Sequence, residues 1–265
     1  MKDKFKYILN LLKVLIWPII FVISEILITG IFTLIFNIKT KGDTSYENFL
    51  EYMKTDGYRE KLVDFINSQC VPIIILTMAI FIPIFYLVFK KYRQNTRFKL
   101  SDSIEPLVYG MSISLIFNII VYSLNNVFNF TSQYNDSPIT LISQIICTGI
   151  CGPILEEFLF RGIVYNKLKS FNKQLVSIIL CSIIFGIFHD NIINAVYGFG
   201  VSFILIYLYE KYKNLKAPII MHISLNLTTI LMLPLIKMNF IAFNLYLFVI
   251  SIITVLILKQ LIKYE

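Results

Sequence analysis

Three ionisable residues lie within six positions of an otherwise apolar stretch: Glu156, Glu157 and Arg161 in Gly152-Pro153-Ile154-Leu155-Glu156-Glu157-Phe158-Leu159-Phe160-Arg161. Each such residue costs about 2.5–3.5 kcal/mol at the centre of a membrane helix on insertion scales, so groups kept there either do chemistry or neutralise one another. The chain has only two histidines, His189 and His222, both in or at the end of apolar stretches, and Asn226 follows His222 by four. A scaffold that only had to pack would not need this set.

Helical spacing assigns provisional roles. Positions four apart share a face, so Glu157 and Arg161 can pair, with the acid N-terminal to the base, the better order. Glu156 points about 100° away from Glu157 and is left unneutralised by that pair. An unpaired carboxylate in a dry site has the character of a general base. His222 and Asn226 also share a face and together offer two hydrogen-bond donors to a developing oxyanion, an effect of about 3 kcal/mol per donor. Phe185 and His189 share a face too, which lets the ring pack beneath the imidazole. The plain alternatives are a structural ion network for the acidic cluster and hydrogen-bonded core positions for the histidines. Asn226 taken alone reads as a helix–helix hydrogen bond.

The elements that must hold these groups are membrane spans. Of 265 residues 57% are hydrophobic and 15% charged, with mean hydropathy +0.74; a soluble domain carries about 25% charged residues. A span needs roughly 20 apolar residues. Candidate spans fall near 14–36, 70–89, 107–124, 139–166, 174–190, 192–209, 217–235 and 240–258. The fold expected is an all-α polytopic membrane protein of about eight transmembrane helices. It forms one domain over 1–265, with the motif region at about 139–234. The fifth and sixth spans are parted only by Asp190-Asn191, and a break at Gly152-Pro153 is expected from the proline. The outer loop 37–69 is polar enough to form a short interfacial helix.

Cytoplasmic loops carry the excess of Lys and Arg. Alternate segments hold 17 of the 24 basic residues, six lie on the opposite side, and the last, Arg161, is inside a span. The first outer loop holds six acids, Asp43, Glu47, Glu51, Asp56, Glu60 and Asp64. Both termini are therefore expected in the cytoplasm of a multi-pass cell-membrane protein. The formal charge of +8 follows from this bias, and no nucleic-acid partner is needed to explain it. The basic start and apolar run at the N-terminus read as a retained span, because the run is too long for a signal peptide and no small-residue cleavage site follows. Measured against the flanking lysines, Glu156 and Asn226 lie roughly 16 Å deep, whereas His189 falls at roughly 24 Å.

Cys147 and Cys151, four apart, read as small buried residues rather than a soft metal pair. Gly198 and Gly200 read as places of close helix packing. Glu25 is an isolated acid in the first span, marking either a helix contact or a second polar site.

Glu156-Glu157-x-x-x-Arg161, Phe185-x-x-x-His189 and His222-x-x-x-Asn226 resemble, in order, the three motifs of the type II CAAX prenyl protease and bacteriocin-processing family, also called the Abi family. All three are complete, and they use both histidines of the chain. The resemblance implies an eight-helix intramembrane endopeptidase. It implies that Glu156 activates a water with help from His189, that His222 and Asn226 stabilise the oxyanion, and that Glu157 and Arg161 support them. It also implies a membrane-associated peptide or protein substrate in the lipid bilayer, such as a pheromone, bacteriocin precursor or leader peptide.

Two other functions are compatible with the residues. One is a catalytically idle binding or immunity protein of the same fold. The other is a transporter using Glu156 and Arg161 as a relay, against which the lack of an inverted repeat counts. The expected chemistry uses no cofactor. The alternative is a catalytic zinc held by Glu156, His189 and His222, although the frame differs from the His-Glu-x-x-His pattern.

Overall fold

The computed structural model describes residues 2–94, 96–128, 139–189 and 192–236, together with 248 and 252. The described residues form helices and no strands: α1 Lys2–Lys41, α2 Tyr46–Tyr52, α3 Asp56–Ser68, α4 Cys70–Phe89, α5 Ile104–Phe128, α6 Leu141–Lys169, α7 Gln174–Ile187, α8 Ile192–Tyr212 and α9 Lys216–Ile236. Five are long and apolar enough to cross a bilayer: Lys4–Lys41, Cys70–Phe89, Leu100–Ile120, Leu141–Lys169 and Ile192–Tyr212. Gln174–Ile187 and Lys216–Met232 are shorter apolar helices. The protein is an all-α, multi-pass membrane protein. The expected span at 240–258 and the Asp190-Asn191 step lie outside the described residues.

The polar stretch 37–69, where one short helix was expected, holds two. α1 runs on to Lys41, and two short helices follow, each started by a hydroxyl cap: Ser45 accepts from Asn48 N–H and Thr55 from Tyr58 N–H. Phe36, Phe49 and Tyr58 are buried together beneath them, and the Tyr58 hydroxyl donates to Asn37 Oδ1 at 2.6 Å.

α6 is the axis of the bundle. Every residue from Leu159 to Tyr165 is buried, the mark of a helix wrapped by neighbours on all sides. Val14 and Phe21 of α1, Phe81, Phe85 and Phe89 of α4, Cys181 and Phe185 of α7, and Ile206 and Tyr209 of α8 pack around it.

α5 and α9 form the second closely fitted pair. At Gly110 of α5 an added Cβ would stand 1.9 Å from Ser224 Oγ and 2.2 Å from the Met221 carbonyl oxygen, so the backbones touch. Ser224 Oγ donates to Leu107 O at 2.9 Å, Ser114 and Thr229 share a hydrogen bond at 2.8 Å, and Asn118 Nδ2 donates to Ser114 O at 2.8 Å. Small residues and polar cross-links of this kind join helices where lipid removes the hydrophobic drive. Ion pairs tie the basic ends of the helices: Lys169 with Glu210 at 2.7 Å, Lys211 with Glu105 at 2.7 Å, and Lys213 with Glu210.

Candidate active site

α6 changes register as it runs. Ile145–Cys151 is π-helical, Gly152–Glu157 is α-helical, and Phe158–Tyr165 is π-helical again. The break expected at Gly152-Pro153 is thus a change of winding, with the proline in the first turn of the α stretch, where its missing N–H is tolerated. Such π turns are often found at functional sites.

The α stretch separates the two glutamates as expected. Glu157 is fully buried, whereas the Glu156 side chain is 36% exposed. Arg161, also fully buried, donates from Nη1 to Glu157 Oε1 at 2.8 Å and from Nη2 to Ser202 Oγ of α8 at 2.9 Å. Its guanidinium carbon sits 4.4 Å from the centre of the Phe185 ring, a cation–π contact made in a dry setting.

His222 joins this network. Its Nδ1 lies 2.8 Å from the same Glu157 Oε1 that receives Arg161. A carboxylate paired with arginine only accepts, so Nδ1 carries the hydrogen and Nε2 is the free position. That Nε2 faces Glu156 Oε2 at 3.8 Å. The separation exceeds a direct hydrogen bond and suits one bridging oxygen atom. The two glutamates therefore stand at opposite edges of one imidazole, one buried behind it and one in front.

His189 arrives differently from the way its spacing suggested. α7 ends at Ile187, so His189 lies in the turn beyond it. Its ring folds back, with Nδ1 3.0 Å from the Phe185 carbonyl oxygen and ring centroids 5.1 Å apart. Nδ1 again carries the hydrogen. Phe185 stands between the two histidines, its centroid 5.9 Å from that of His222.

Asn226 donates from Nδ2 to the Thr148 carbonyl oxygen at 2.8 Å. The structure thus joins Glu156, Glu157, Arg161, Phe185 and His222 directly, holds His189 against Phe185, and ties Asn226 to α6.

Several contributors were not singled out as site residues. Ser202 has a signal in Gly198-x-x-x-Ser202, a small-residue pair on one helix face. Gly198 makes room for a ring rather than a helix: an added Cβ would stand 2.6 Å from His189 Cε1. Gly200 has nothing within 4 Å, and the close crossing of α7 and α8 is at Gly186, where a Cβ would stand 2.7 Å from the Ala195 carbonyl oxygen. Thr148 contributes only its backbone, for which residue type gives no signal. Glu25 of α1 is half-buried and lies within electrostatic range of Glu156, so it belongs to the surroundings of the site. Among the described residues, no three His, Cys, Asp or Glu side chains are grouped so as to hold a metal ion.

Residues 138–228 match the family described as type II CAAX prenyl endopeptidase Rce1-like. Over 89 residues the chain is 32% identical to "Putative membrane peptidase YdiL" of Bacillus subtilis (strain 168), covering 34% of this chain and 36% of that protein. Over 90 residues it is 34% identical to "Membrane-embedded CAAX protease MroQ" of Staphylococcus aureus (strain USA300), covering 31% of this chain and 36% of that protein. The chain thus spans about a third of the length of the curated relatives it matches. No solved structure matches. Residues 138–228, which carry Glu156, Glu157, Arg161, Phe185, His189, His222 and Asn226, are thus the part of the chain that is similar to the type II CAAX prenyl endopeptidase Rce1-like family.

Proposed function

We propose that this protein is an intramembrane endopeptidase that hydrolyses a peptide bond of a membrane-associated peptide or protein with a glutamate-activated water. The observation that carries the reading is the position of Glu156. It is half-exposed, it is free of the buried Glu157–Arg161 pair, and its Oε2 is 3.8 Å from His222 Nε2.

In this reading Glu156 takes a proton from a water, whose oxygen attacks the carbonyl carbon of the substrate. The negative charge that develops on the carbonyl oxygen receives hydrogen bonds from His222 Nε2 and Asn226 Nδ2. Nε2 donates only when the ring carries both protons, and the Glu157 carboxylate at Nδ1 is the group that stabilises that cation. His189, with Nδ1 held by the Phe185 carbonyl, turns Nε2 to the attacking water as an acceptor. When the C–N bond breaks, Glu156 returns its proton to the leaving amine. The chemistry proposed needs no metal. The basic segments on alternate sides support an arrangement with both termini in the cytoplasm.

The test is cleavage by purified protein in lipid nanodiscs, using quenched membrane peptides of prenylated and leader-peptide types. Glu156→Gln keeps the shape and removes the base, so cleavage should fall by at least about a hundredfold, with unchanged thermal unfolding. Full activity in Glu156→Gln would refute the assignment of the base.

A further inference from the structure

The contact between Asn226 and Thr148 has a cause in the sequence three residues before Glu156. At the end of the first π stretch of α6, the Gly152 N–H donates to the Cys147 carbonyl, five residues back. The next donor in that register would be residue 153, pairing with Thr148. Residue 153 is proline, whose nitrogen carries no hydrogen. The Thr148 carbonyl is therefore left without a donor in that register. It is this carbonyl that Asn226 Nδ2 meets at 2.8 Å.

The approach that permits the contact is also built in. At Gly149, the residue after Thr148, an added Cβ would stand 2.6 Å from Leu227 Cδ2 and 3.3 Å from Ile230 Cδ1 of α9. The missing side chain lets α9 lie against α6 where the free carbonyl faces it.

We infer that Pro153 is a positioning residue: by withholding a backbone donor it reserves the Thr148 carbonyl for Asn226, and so fixes where the Asn226 amide stands beside His222 and Glu156. One amide hydrogen is held by Thr148, and the other remains for the oxyanion. This rests on the reading of Asn226 as an oxyanion donor. The helix that carries the base thus also carries the acceptor that orients a donor on α9.

Pro153→Ala gives Thr148 an N–H partner that competes with Asn226. Pro153→Val does the same while keeping more of the buried side-chain volume. In both, kcat should fall about tenfold with KM unchanged and thermal unfolding no lower than wild type. Combined with Asn226→Ala, Pro153→Ala should add no further loss, because it acts through Asn226. In 15N-asparagine-labelled protein in nanodiscs, the Asn226 side-chain amide should exchange slowly with solvent in the wild type and quickly in Pro153→Ala. Wild-type kcat in both proline variants, or losses that multiply with Asn226→Ala, would overturn the proposal. Unchanged Asn226 exchange would overturn it as well, and that measurement decides even if no peptide is cleaved.

Discussion

His222 meets Glu157 through Nδ1 at 2.8 Å, across 65 positions of sequence. Glu157 Oε1 also receives Arg161 at 2.8 Å, so one buried oxygen accepts from both side chains and joins α6 to α9. Glu157 is thereby more than the counter-ion of Arg161, since it sets which edge of the His222 ring faces Glu156.

Glu157→Gln should accordingly impair two properties at once. Arg161 loses its buried counter-charge, which should lower stability by about 3–5 kcal/mol, the range for breaking a buried pair from one side. His222 then faces an amide that can donate as well as accept, so its hydrogen is no longer fixed on Nδ1. The chain has only two histidines, so 15N spectra of the rings can separate them: His222 should change its tautomer signals and His189 should keep them. Identical spectra in wild type and variant would mean that Glu157 does not orient His222. Replacing Glu157 and Arg161 together by leucine and methionine should recover much of the stability but none of the activity.

Gly198→Ala should act on His189 alone. The new methyl would overlap Cε1 and Nδ1 of a ring that lies beyond the end of α7 and can swing away. Thermal unfolding should change little, while cleavage should drop on the order of tenfold to a hundredfold if His189 assists the attacking water as proposed. Normal rates with a shifted His189 ring signal would show that the ring position is immaterial.

Gly110→Ala should be a stability variant. Its obstacle is the Met221 carbonyl as well as a hydroxyl, and backbone cannot swing aside, so α5 and α9 must part. A loss of about 3 kcal/mol or more is expected, read as a lower unfolding midpoint in nanodiscs. Gly200→Ala provides the contrast. It has open space around it and should be neutral or stabilising by about 0.5–1 kcal/mol.

Cleavage should survive incubation with a strong zinc chelator. Nδ1 of His222 faces Glu157, and Nδ1 of His189 faces the Phe185 carbonyl. Activity lost with chelator and restored by added zinc would move the case to the alternative ligand set of Glu156, His189 and His222.

Contacts that depend on local periodicity were readable in advance. The Glu157–Arg161 pair and the opposed directions of Glu156 and Glu157 follow from about 3.6 residues per turn, and both are present. The proximity of Phe185 and His189 was anticipated for a different reason from the one that produces it: the chain leaves the helix at Ile187 and folds back. The link from Glu157 to His222, and that from Asn226 to Thr148 across 78 positions, depend on how α9 meets α6, which no local pattern encodes. The π stretches were hidden for a related reason. A wider turn is stabilised by what packs around it, so its residues look like those of any apolar helix.

The pairing of Glu157 with Arg161 also bears on how the chain enters the membrane. Two lone charges in one span would oppose its insertion by about 2.5–3.5 kcal/mol each. Because both sit on α6, four positions apart, they can neutralise each other as soon as that helix has formed. Ser202 and His222 lie on helices made later. During biosynthesis α6 can therefore leave the translocation machinery with these two charges already matched, and each later helix docks against an ion pair that is already in place.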